Sequence, residues 1–175
     1  MIAAGALALS AFLLGDDATR PSGRGTPVAD ATGTLRAVVP VGWNEIESEP
    51  SRDGTVPRIL AAPDAAAYRA RRDAPGMELL FTTGLTNRHI DSVLEEFASR
   101  SGARQQCDGS PTREPFTQRG FAGSIEVYTK CGDTDADLTV VAAQGPNRTG
   151  LIVLSVQGAT PAERELVLTG FAITK

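Results

Sequence analysis

Two cysteines and a single histidine, with a run of alternating aspartates, are the residues of this chain whose chemistry stands out. An even cysteine count in an exported chain points to a disulfide, and Cys107 and Cys131 flank a stretch that reads as a hairpin. Closing a loop of about 25 residues stabilises a fold by about 3.5 kcal/mol in the chain-entropy description. A redox or metal pair lacks a CxxC spacing. Any Ser-His-Asp scheme must run through His89, which falls in the first turn of an amphipathic segment, and no G-x-S-x-G elbow presents a serine to it. Asp133, Asp135 and Asp137 resemble the opening of a calcium loop, but Leu138 and Gln144 stand where that loop needs Gly and Glu. They read better as an acidic hairpin tip. Asn147-Arg148-Thr149 matches the glycosylation acceptor pattern, which short sequences meet often by chance. Trp43 and Tyr68 are the candidate ligand-rim residues, beside a polar loop at 45–57 long enough to form a rim. The expectation is therefore a non-enzyme with no cofactor and no metal ligands.

The bulk properties narrow the class of partner. The chain has 175 residues, of which 41% are hydrophobic and 22% charged, so it can build one real core and is not globally disordered. A net charge of −4 argues against nucleic acid, which needs clustered surplus Lys and Arg. The one basic cluster, Arg69, Arg71 and Arg72, reads as a solvated helix end.

Residues 1–15 (MIAAGALALSAFLLG) are apolar without a break. As a helix they span about 22 Å, short of the roughly 30 Å of a bilayer core. The length suits a secretory signal, yet the charged flank of a signal is missing and no small-residue cleavage site is evident. Signal peptide and membrane anchor both remain open, with the outer end of a longer membrane protein as one form of the anchor; a buried helix of a cytosolic protein is the third reading. Residues 16–33 are polar, small and rich in turn formers, which reads as a flexible linker. The folded part is then 34–175.

The elements follow from periodicity and punctuation. Strands are expected at 35–40, 58–62 and 77–83, with a short helix at 65–72 capped by Asp64. Asn87 is read as the cap of the clearest helix, whose apolar face is Ile90, Val93, Leu94 and Phe97, with Gly102 ending it. Residues 103–107 and a turn at Gly109-Ser110-Pro111 precede three β runs at 122–131, 136–144 and 150–157. Their tight spacing favours antiparallel hairpins, and the last, apolar on both faces, belongs mid-sheet. Thr160-Pro161-Ala162-Glu163 is a capping box that opens a helix through Gly170. Two main helices and about six strands then form an α+β fold with a mainly antiparallel sheet.

Several stretches carry a family likeness: LRAVVPVGW at 35–43, AAPDAAAY at 61–68, APGM at 74–77, SIEVYTKCG at 124–132 and LIVLSVQ at 151–157. In this order they resemble the PsbP-like domains of actinobacterial envelope proteins, the LpqN-type lipoproteins among them, which are similar to extracellular tails of membrane Ser/Thr protein kinases. The likeness spans about 34–174. It implies an α/β/α sandwich around a central antiparallel sheet, and mostly non-catalytic binding or assembly roles. The lipidated cysteine of LpqN-type members has no counterpart here. Function does not follow from fold alone. The reading is an extracytoplasmic binding or sensor domain, anchored or secreted, monomeric, with an envelope protein or a small ligand as partner. The alternative is a small-molecule or lipid carrier with a cavity between sheet and helices; a serine hydrolase using His89 ranks last.

Overall fold

The structure, a computed structural model, describes residues 25–50, 56–132 and 134–174. The apolar segment at 1–15 and Asp133 lie outside the described residues. In chain order the elements are β1 (Gly25–Ala29), β2 (Leu35–Pro40), β3 (Glu45–Glu47), β4 (Arg58–Ala62), α1 (Ala65–Ala70), β5 (Gly76–Thr82), α2 (Ile90–Ser101), α3 (Ala103–Gln106), β6 (Asp108–Gln118), β7 (Phe121–Cys131), β8 (Ala136–Gln144), β9 (Leu151–Gln157), α4 (Pro161–Gly170) and β10 (Ala172–Ile173). The strands form a seven-stranded sheet of order β3-β4-β5-β9-β8-β7-β6 and a three-stranded sheet of order β1-β2-β10. Pairing is antiparallel in both. The fold is α+β, and β9 occupies the middle of the large sheet, as its apolar faces require.

Alternation along the strands sends side chains to two faces, and each face has its own cover. Ile59, Met77, Leu79, Val141, Ile152 and Leu154 pack with Leu35, Ala37 and Val39 of β2, and with Val167 and Phe171 at the end of α4. Leu138, Val140, Ala142 and Leu151, on the other face, pack with Val93, Leu94 and Ala98 of α2. One outer layer is thus helical, whereas the other combines the small sheet with α4. That mixed layer differs from the helix-only layers of an α/β/α sandwich.

Three strands depart from the sequence reading. Residues 25–29 (GTPVA) form β1, so the linker expected over 16–33 is already folded from Gly25; the strand is mostly exposed and lacks the alternation that announces one. Glu45–Glu47 pairs with β4 inside the expected loop. The turn expected at Gly109-Ser110-Pro111 is part of β6, whose two prolines are tolerated because β6 is an edge strand. With β10, which falls where a short final strand or tail is expected over 171–174, the described residues hold ten strands against about six expected. The helices α2 and α4 are the two main ones, although α2 starts at Ile90 with His89, not Asn87, at its N-cap. Thr160 and Glu163 form the reciprocal capping box of α4.

Cys107, at the C-cap of α3, and Cys131, at the end of β7, are joined in a disulfide. The β6–β7 hairpin brings them together, and the bond ties the helical layer to the sheet. Nearby, the buried Glu126 carboxylate accepts from the Tyr128 hydroxyl at 2.8 Å and from Arg113 Nε at 3.0 Å. Burial, and then the hydrogen bond to Glu126, push the Tyr128 hydroxyl up to about 12. Among the described residues no helix is long and apolar enough to cross a membrane.

Candidate ligand cleft between two helices

The helical layer does not cover the large sheet evenly. The six-residue α1 stands over β4, while α2 stands over β8 and β7. Between them the faces of β5 and β9 form the floor of a cleft of about 690 Å³. That volume is within the roughly 300–1,000 Å³ of small-molecule sites. Leu60 on β4, Leu80 on β5, and Leu151 and Val153 on β9 line the floor, with Val93 and Phe97 of α2 forming one wall. Leu85, 42% exposed, sits at the rim.

The register orders the cleft along its length. Gln157 pairs with Gly76, Ser155 with Glu78, Val153 with Leu80, and Leu151 with Thr82. One end is therefore polar and anchored at Gln157, and the apolar floor follows toward Leu85. Gln157, fully buried, directs its amide N–H group at the carbonyls of Tyr68 (2.9 Å), Arg71 (2.7 Å) and Ala74 (2.9 Å). Its own amide oxygen accepts from Arg72 at 2.9 Å. This clamp fixes the end of α1 against the sheet. A Cβ at Gly76 would lie 2.4 Å from the Tyr68 ring, so only glycine lets that ring lie so close to β5. The Tyr68 and Ser155 hydroxyls bond to each other at 2.9 Å, and burial raises the Tyr68 hydroxyl well above its ordinary range.

Arginines dominate the walls: Arg58, Arg69, Arg72, Arg88 and Arg100 all line the cleft. Arg58 pairs with Glu78 and Glu47, Arg69 with Glu47, and both Arg88 and Arg100 with Glu96. The Arg69 hydrogen bond holds the Glu47 carboxyl below its usual value, and the Arg88 bond does the same for Glu96. Burial works against the Arg58 charge, but the bonds and charges of Glu78 and Glu47 outweigh it and raise its pKa. Five guanidinium groups thus face three carboxylates. Arg72 is the one of the five with no ion pair among the described residues: it bonds Gln157 and the Tyr68 and Arg69 carbonyls, and its buried Nε has no acceptor.

The two rim candidates part company. Tyr68 lines the cleft, whereas Trp43 is buried on the opposite face of the large sheet among Leu35, Ile59 and Met77, as a core plug. His89 is exposed, and its side chain makes no hydrogen bond to a described residue. Asp137 pairs with Arg164 at 3.4 Å, and no three potential metal ligands converge among the described residues. Asn147 is exposed in a single 3-10 turn. Arg69 and Arg72, read from sequence as a solvated helix end, belong instead to the cleft; Arg71 alone turns outward, to Asp73. A signal for the site does exist. Arg58, Glu78 and Ser155 each interrupt an apolar strand, and they share one face of three adjacent strands, but only the register reveals it.

No known family model matches the chain, and no curated protein matches it.

Proposed function

We propose that this chain is a non-enzymatic, extracytoplasmic binding domain of the bacterial cell envelope whose ligand site is the cleft between α1 and α2. The observation that carries the reading is a cleft of about 690 Å³ whose floor presents Leu80 and Val153, apolar surface that a ligand would remove from water. The disulfide favours an oxidising compartment, and the apolar start of the chain and the resemblance to PsbP-like domains favour the envelope. This merges the sensor and carrier readings into one site: a cavity between sheet and helices serves either role.

Nile red, a neutral dye that brightens in apolar sites, tests it. Wild type should enhance the dye saturably, and Val153→Trp, which fills the floor from a strand position, should abolish the enhancement without lowering the melting temperature by more than a few degrees. Enhancement of equal size in Val153→Trp would remove the cleft as the site.

A further inference from the structure

The charge and the hydrogen bonding of the cleft select among ligands. We infer that it takes a single-chain amphiphile with an anionic head, a fatty-acid-like molecule whose head lies at Arg72 and whose chain runs over Val153 and Leu80 toward Leu85. The inference rests on the cleft being the ligand site. Charged groups stand on both walls, but Arg88 and Arg100 are paired with Glu96, and the floor between the walls is apolar. The hydroxyls of Tyr68 and Ser155 satisfy each other, and Glu78 is taken by Arg58, so the middle of the floor offers a ligand no free polar partner. A sugar or nucleotide, polar along its whole length, would bury groups without partners there, at a cost for each. An alkyl chain would not.

The head is assigned by charge complementarity. The cleft holds more guanidinium groups than carboxylates, and Arg72 has no ion pair among the described residues. Its guanidinium is fixed by Gln157 and two carbonyls. A pre-oriented guanidinium with no carboxylate of its own suits a carboxylate head, because no ion pair must be broken to bind it. From Ser155 to Leu151 the floor follows four residues of β9, about 13 Å at the strand rise, along which an extended alkyl chain can lie.

The test is calorimetric titration of the full chain with dodecanoate and with dodecyl maltoside, which share a tail and differ in head, below their micelle concentrations and at a pH where the carboxylate is ionised. Dodecanoate should bind about tenfold more tightly than the maltoside, one charge-assisted contact being worth about that much. Arg72→Gln should erase this preference by weakening dodecanoate far more than the maltoside, and Arg72→Lys should keep part of it. If Arg72→Gln unfolds the chain, the wild-type preference must shrink as ionic strength rises. Equal affinity for the two ligands, or a preference untouched by Arg72→Gln and by salt, overturns the anionic head. Those results leave the cleft itself standing so long as Val153→Trp abolishes binding of both. Binding of both ligands undiminished in Val153→Trp, or binding of neither to wild type, overturns the cleft along with the head.

Discussion

Asp30 shows how one buried side chain builds a turn that no apolar pattern announces. Its carboxylate accepts from the Leu35 amide at 2.6 Å and the Thr32 amide at 3.0 Å, and from the Thr32 hydroxyl, closing the link from β1 to β2. Burial pushes the Asp30 carboxyl up, and the hydrogen bonds from Thr32 and Leu35 outweigh it, so the net shift is downward. A depressed carboxyl contributes stability above its unfolded pKa, about 4, and loses it as pH falls through the lower folded value. Asp30→Asn should therefore cost about 1–2 kcal/mol at neutral pH. The gap to wild type should narrow in urea unfolding at strongly acidic pH; a gap independent of pH would rule out the ionised cap. Clamp residues of this kind are hard to read from sequence. Gln157 stands at the end of an apolar strand like any strand terminator, and only the fold shows four partners converging on its amide.

At the scale of elements, legibility followed burial. The run forming β9 is apolar on both faces and could only be a central strand, and the residues of the α4 capping box carry their own geometry. The strands β1 and β6 escaped because edge strands with wet faces need no apolar alternation, and β6 carries Pro111 and Pro115 besides. Yet the long β6–β7 hairpin is what sets Cys107 beside Cys131. Replacing both with serine should lower stability by about 2–4 kcal/mol, since a bridge with 24 residues of sequence separation constrains the unfolded chain. Urea unfolding of wild type with and without reductant should reproduce that difference. If reductant and the double substitution both leave the midpoint unmoved, the bridge carries no such stability.

For the whole molecule, the defining feature is a mismatch in coverage: seven strands lie under a helical layer whose members α1 and α2 leave a cleft between them. The lengths of those helices were readable, but the gap between them depends on which strands each one stands over, and therefore on strand order. The same gap turns Arg69 and Arg72 from surface charges into walls of a site, and places Trp43 on the far side of the sheet from Tyr68. The most direct test of the cleft is methyl NMR of the full chain titrated with dodecanoate. Saturable shifts are expected at Leu80, Val93 and Val153, with Ile59 and Ile152 on the opposite face of the large sheet, and Val39 of the small sheet packed against them, unmoved. Shifts concentrated on Val39, Ile59 and Ile152, or spread evenly over both faces, would contradict it.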